Sequence, residues 1–219
     1  MTNHPVPDRP RPASGGRRPA SEGRQPVGEE RRPANHGPKA AARNRAALVA
    51  AAREIYAEHG LDAPLSAIAR RAGVGQGVLY RHFPDRAAVT TAVLEENVRE
   101  VEQAAAAEDA TFAGVLGVLT WHLKESAAFI GLLHADGSDR HSGVRAHALA
   151  LSRRVERALR AHLPDDGGHR PVAVDDLMLA VAMVSGAVTG PSHEERERRA
   201  LAAWRLLGVE VGPVRPHPG

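Results

Sequence analysis

The side chains best suited to contact a nucleic acid lie close together in this sequence. The amide of Gln76 can hydrogen-bond adenine N6 and N7, Val78 can contact a thymine methyl group, and Arg81 can bind guanine if it reaches that base. The phenol of Tyr80 and the imidazole of His82 can hydrogen-bond phosphate oxygens. Such side chains are suited to contact a polyanion, and composition alone does not tell which one.

Positive charge is concentrated around the same residues. The formal net charge is +3, yet residues 39–86 carry a net charge of +4 and residues 87–219 a net charge of −4. A basic module on an acidic body is expected of a protein that places one end on a polyanion. Arg45 and Arg86 lie in the basic module and are further candidate phosphate contacts, since arginine can hold a phosphate through two bonds.

The elements that must position these residues are short helices. An apolar helical stripe that includes Leu48 ends at Gly60 and predicts a first helix. Pro64 fits the first turn of a second helix that ends at Gly73. A third helix is predicted over residues 76–83. Two short helices joined by a glycine-containing turn make a helix-turn-helix.

The remainder of the chain also has helical periodicity. No alternating pattern typical of a strand is present, so the sequence predicts an all-α fold of about nine helices. Helices are predicted at 86–107, 111–123, 125–134, 141–162, 173–188 and after Ser192, which is followed by Glu195 in a capping box. The predicted organisation is a tail at 1–38, a helix-turn-helix domain at 39–86, a ligand-binding and dimerisation domain at 87–210, and a flexible C-terminus at 211–219.

The tail at 1–38 contains half of the 16 prolines and almost no apolar residue, which predicts disorder. Its arginine pairs, Arg17-Arg18 and Arg31-Arg32, leave two readings open: an arm that follows a DNA groove, or a solvated extension.

Several function classes are disfavoured by composition. Without cysteine there is no disulfide or thiolate chemistry, and no stretch is long and apolar enough to span a membrane, so we expect a cytoplasmic protein. Residues 73–77 contain three glycines, but no strand precedes them and the spacing does not fit a dinucleotide-binding loop. His134, His141 and His147 show no metal-ligand spacing, and no serine lies in a nucleophile-elbow context. We therefore expect no enzyme activity, no metal and no cofactor.

The pattern around the third helix resembles the DNA-binding domain of the TetR family of bacterial transcriptional regulators, over residues 44 to about 94. The matching residues are Ile68-Ala69, Ala72-Gly73-Val74, Gly77, Leu79-Tyr80, His82-Phe83 and Arg86. The resemblance is greatest to actinobacterial members. It implies an all-helical homodimer on a palindromic operator, usually a repressor released by a small molecule that binds a variable C-terminal domain.

Individual positions of the motif have physical roles. Gly77 lets the third helix approach the DNA backbone, while Leu79 and Phe83 are one turn apart and should anchor this helix to the first two. Gly75 and Val78 stand where the family commonly has Ser or Thr, which removes two hydroxyl contacts. Base selection therefore depends more on the other side chains of this helix.

The C-terminal helices hold the candidate ligand and dimer contacts. Trp121, His122, Phe129, Met178 and Met183 lie where the family builds its ligand cavity, although core packing explains each of them equally well. The apolar helix 173–188 is either buried within one subunit or shared with a dimer partner. We expect a largely apolar ligand, and a dimer interface formed by Met183, Val184, Val188, Leu201 and Trp204.

Two functions from different classes fit these patterns. One is a ligand-responsive transcriptional repressor, and the other is an architectural nucleoid protein, for which the basic tail argues. About 120 residues of helical body favour the regulator, because a nonspecific binder needs no such body.

Overall fold

The computed structural model describes residues 37–126, 142–164 and 172–217. Within these ranges the chain forms eight α-helices and one 3-10 turn and has no β-strand, which confirms the predicted all-α class. The helices are α1 (Pro38–His59), α2 (Leu65–Arg71), α3 (Gln76–His82), α4 (Arg86–Ala106), α5 (Phe112–Glu125), α6 (Ser142–Arg160), α7 (Leu177–Ala187) and α8 (His193–Leu206), with the 3-10 turn at Val174–Asp176.

Some of the predicted residues and elements lie outside these three ranges. Phe129, nearly all of the helix predicted at 125–134, and the tail up to residue 36 lie outside the described residues. No described helix combines the length and the apolar character that a membrane span requires.

Helices α1 to α3 and the first half of α4 pack around one apolar core. Leu48 and Tyr56 of α1, Ile68 of α2, Leu79 of α3 and Val93 of α4 are almost completely buried in it. These residues recur at helical spacing on one face of each helix, so that the polar faces remain outside.

Glycine ends two of these elements where the backbone must turn sharply. Gly60 follows α1 with a φ of 76°, and Gly73 lies between α2 and α3 with a φ of 68°. Both values are in the left-handed region that residues other than glycine rarely adopt. This explains why the first two helices end near these glycines, as predicted. Pro64 differs slightly from its prediction, because it is the N-cap of α2 rather than a residue of its first turn.

The C-terminal helices surround a second apolar core. Val101 of α4, Leu116 of α5, Leu159 of α6 and Val184 of α7 contribute to it, together with Trp204 of α8. The indole of Trp204 is 1% exposed, and its Nε1 donates a hydrogen bond of 3.0 Å to Oγ1 of Thr120. That bond satisfies the single polar atom of the buried indole.

Helix α4 belongs to both cores. Leu94, near its middle, packs against both, and the helix contacts α1 on one side and α5 and α6 on the other. The predicted boundary between residues 86 and 87 therefore coincides with the first residue of a helix that the two modules share.

The C-terminal segment after α8 packs on α5. The amide of Gly212 donates a hydrogen bond of 2.8 Å to the carbonyl oxygen of Ala113. A Cβ atom at Gly117 would lie only 2.5 Å from the carbonyl oxygen of Pro213. The predicted flexible C-terminus therefore needs correction at its start, because residues 212 and 213 occupy a groove formed by small residues of α5.

Candidate nucleic-acid interface

Helix α3 presents a polar face to solvent beside the edge that it buries. Leu79 and Phe83 are 1% and 3% exposed, which confirms that they anchor the helix to α1 and α2. Gln76, Tyr80 and Arg81 are exposed, with 52% of Tyr80 accessible, and form the polar face of the helix. Because the anchoring residues fix the rotation of α3, this polar face has a defined orientation.

The remaining predicted contacts lie at the edges of that face. Val78 and His82 are half-buried, whereas Gly75 and Gly77 are exposed. A Cβ atom at either glycine would meet no other atom within 4 Å. The backbone at the start of α3 is thus open to close approach, as expected at Gly77.

Arg45 is placed next to this surface from α1. Its side chain is exposed, and its guanidinium carbon lies 5.4 Å from the centre of the Phe83 ring. A cation over an aromatic face is held there by the ring quadrupole. The structure therefore brings Arg45 to the end of α3, and its predicted contact with a phosphate stays a prediction.

Arg86 is turned toward the protein rather than outward. This first residue of α4 is half-buried, and its Nη1 donates hydrogen bonds to the carbonyl oxygens of Leu61 and Ala63. Those carbonyls follow the end of α1, where no helical partner is available to them. The expectation that Arg86 holds a phosphate is corrected to this extent: in the structure its guanidinium joins α4 to the turn between α1 and α2.

Further polar contacts fix the helices that carry the interface. Arg71 of α2 donates hydrogen bonds to the carboxylates of Glu54 and Glu58 in α1. The hydrogen bond from Arg71 is the main cause that lowers the pKa of Glu58. Asp85 caps α4, since its Oδ1 accepts a hydrogen bond of 2.8 Å from the amide of Ala88.

The predicted ligand residues are not brought together in one place. His122 is buried against Glu100, and Trp121 and Met178 are half-buried. Met183 is 55% exposed on α7, so it lines no internal space within one chain. A cavity of about 600 Å³ in the described part of the chain is lined by none of these four residues.

Sequence reasoning missed this cavity because its walls come from segments far apart in the chain. Phe112 begins α5, His162 follows α6, Leu177 begins α7, and Val209 and Glu210 follow α8. No local pattern could have placed these residues together.

The predicted dimer contacts also need correction. Val184, Val188 and Trp204 are buried within the chain itself, because the side chains of the second core cover them. Leu201 is half-buried, and Met183 is the member of that set that remains exposed. Exposed Leu179, one turn before Met183, was not predicted.

Comparisons with known proteins agree with this architecture. Residues 48–93, which cover the second half of α1, all of α2 and α3, and the start of α4, match the family described as "Bacterial regulatory proteins, tetR family". No curated protein matches the sequence.

Two solved structures are similar over most of their length. A TetR transcriptional regulator from Streptomyces coelicolor is 26% identical, with a TM-score of 0.50 over 74% of this chain and 97% of that one. The TetR family protein CprB from S. coelicolor A3(2) is 24% identical, with a TM-score of 0.52 over 76% and 87%, and supports the fold alone. Residues 48–93 therefore form a tetR-family DNA-binding domain, and the all-helical chain that carries it has the fold of TetR-family transcriptional regulators.

Proposed function

We propose that this DNA-binding regulator is a repressor, that it binds a palindromic operator as a homodimer, and that a small, largely apolar ligand releases it. The exposed face of α3 is the observation that supports this most. Gln76, Tyr80 and Arg81 project from a helix that buried Leu79 and Phe83 anchor. A helix presented in this way can enter the major groove of B-DNA.

The residues around α3 divide into two roles in this proposal. Gln76 and Arg81 select bases, with Val78 at the edge of the reading face. Tyr80, His82 and Arg45 bind phosphates and set the position of the helix. Because phosphate contacts release counterions, affinity for any DNA should fall steeply with salt.

A stripe on α7 supports the homodimer. Leu179, Ala182, Met183 and Gly186 are all exposed and follow one another at helical spacing. The small residues Ala182 and Gly186 leave room for a second helix. We propose that two copies pair through this stripe, with α7 and α8 of each forming a four-helix interface.

Release follows in this proposal from the position of α4 between the two cores. A ligand that displaces α4 tilts the DNA-binding modules and changes the separation of the two α3 helices. That separation must match successive major grooves, about 34 Å apart. By linkage, the operator must weaken ligand binding by the same factor as the ligand weakens operator binding.

Selection from a random-sequence DNA pool tests the operator. We expect the purified protein to enrich a palindrome whose half-sites are about 10 base pairs apart. Gln76→Ala should change the enriched sequence, while Gln103→Ala, a matched change on an exposed position of α4, should not. Enrichment of no consensus would support an architectural DNA-binding protein instead.

A reporter promoter that carries the enriched sequence tests the direction of control. We expect the protein to lower expression from this promoter. Increased expression would contradict the proposal that it is a repressor.

A further inference from the structure

The cavity of about 600 Å³ lies at the end of α4 that is remote from the DNA-binding module. His162, which lines the cavity, contacts the carbonyl oxygen of Ala105 in the last turn of α4, whereas Arg86 at the other end contacts the α1–α2 turn. Helix α4 has 21 residues, which corresponds to a length of about 30 Å. The cavity volume is within the range of about 300–1,000 Å³ that is typical of small-molecule sites.

The walls of the cavity are mainly apolar. Phe112, Leu177, Trp204 and Val209 contribute aromatic and aliphatic surface from four different segments. Leu177, Trp204 and Val209 are themselves buried in the second core, so these walls are fixed by packing. A ligand held here must therefore have an apolar body.

Thr111, His162 and Glu210 contribute polar side chains to the lining of the cavity. Nε2 of His162 lies 2.7 Å from the carbonyl oxygen of Ala105, and because a carbonyl can only accept, Nε2 carries the hydrogen. Glu210 is an exposed lining residue and contributes a carboxylate. The carboxylate of Glu210 favours a hydrogen-bond donor or a cation at this wall and repels an anion.

We propose that this cavity binds a small amphiphile with an apolar body and a donor head group, an alcohol or an amine, and that it discriminates against carboxylates. Binding itself is independent of the proposed function, whereas a regulatory role for the bound molecule rests on it. The C-terminal segment takes part directly, since Val209 and Glu210 form one wall just before Gly212 attaches to α5.

Fluorescence of Trp204 offers a direct measurement. The chain has two tryptophans, so Trp121→Phe leaves the indole in the cavity wall as the single tryptophan. This variant, without DNA, is titrated with 1-octylamine, 1-octanol and octanoate, which share one chain length. We expect the amine and the alcohol to change the emission saturably, and octanoate to bind at least about fivefold more weakly than the amine.

Three further variants locate the binding. In the same background, Glu210→Gln should bring the affinities for octylamine and octanoate to within about twofold of each other. Val172→Phe, at a half-buried lining position, should weaken binding of all three probes. Leu149→Phe, on the exposed side of α6, is the control and should leave all three affinities unchanged.

Two results would overturn the inference: octanoate binding as tightly as octylamine, or full binding by the Val172→Phe variant. DNA selection with the ligand-free protein tests the proposed function separately. A protein that binds DNA but no probe contradicts only the inference about the cavity, and one that binds a probe but no DNA contradicts only the proposed function.

Discussion

Glu100 in α4 accepts a hydrogen bond from Arg53 in α1, with 2.9 Å between Oε1 and Nη2. The other carboxylate oxygen lies 3.2 Å from Nε2 of His122 in α5, and all three side chains are largely buried. One carboxylate thus links the DNA-binding module to the C-terminal body through a contact on each side.

The ionisation of Glu100 should make the stability of the fold depend on pH. Burial opposes its ionisation, but His122 and Arg53 prevail and lower the pKa of Glu100 to about 2. Its stabilisation is therefore present above the unfolded pKa of about 4.3 and is lost as the pH falls toward 2. We expect Glu100→Gln to lower the free energy of unfolding by about 2–3 kcal/mol at pH 7 and by less at pH 3. Urea unfolding at both pH values measures this, with Glu108→Gln at an exposed position as control. An equal loss of unfolding free energy at pH 7 and pH 3 would contradict the lowered pKa of Glu100.

His122 should affect the stability of the fold at a higher pH than Glu100 does. Burial lowers its pKa more than Glu100 raises it; Arg53 also lowers the pKa and Glu125 raises it. The ring is thus kept neutral in the fold, and unfolding takes up a proton below the unfolded pKa of about 6.5. Stability should fall as the pH decreases from about 6.5 toward the lower pKa of the folded state. His122→Gln should flatten this slope in urea unfolding between pH 7.5 and 5.5, and the exposed-site control His59→Gln should retain it.

Replacing Arg86 by alanine should lower the free energy of unfolding more than replacing Arg45 does. Arg86→Ala leaves two backbone carbonyls without their donor, so we expect a loss of about 1–3 kcal/mol in the free energy of unfolding. Arg45→Ala removes only an exposed cation over a ring and should cost less than about 1 kcal/mol. Arg45→Ala should instead weaken binding to all DNA sequences and reduce its salt dependence by about one phosphate contact. Thermal unfolding and salt titrations separate the two effects, and equal unfolding losses would show that the Arg86 bonds matter little.

Charged substitutions test whether the stripe on α7 is the dimer interface. Placing Glu at both Leu179 and Met183 puts carboxylates at the centre of the proposed pairing surface, where burial without a partner is costly. Light scattering should then report monomers with unchanged helix content by circular dichroism. Leu149→Glu, at an exposed position on α6, should leave a dimer. A dimer that survives the double change places the interface elsewhere.

Gly77 should show a conflict between stability and binding. Alanine there meets no other atom within 4 Å and should stabilise α3 by about 0.5–1 kcal/mol, as is usual within a helix. The added methyl group should also hold the helix away from the DNA and weaken binding. Gly117→Ala offers the contrast, because its Cβ would clash with Pro213 and destabilise the fold. Tighter DNA binding by Gly77→Ala would contradict the close approach.

Local signals in the sequence predicted the elements well, and long-range partners explain the differences. Gly60, Gly73 and the Ser192 cap act within a few residues, so their outcomes could be read from the chain. The apolar character of Val184 and Trp204 was evident, but a pattern of hydrophobicity does not tell which neighbour covers a side chain. In the same way, the carbonyl partners of Arg86 lie more than twenty residues earlier in the chain.

The attachment of Gly212 to Ala113 has a consequence for how the protein is made. During synthesis, α5 leaves the ribosome with its groove of small residues uncovered, and the segment that fills it follows almost a hundred residues later. Contacts between such distant segments form late, because the intervening chain must first be ordered. The C-terminal body is therefore expected to close only after translation has passed Pro213, and until then α5 offers its open face to chaperones and to neighbouring nascent chains.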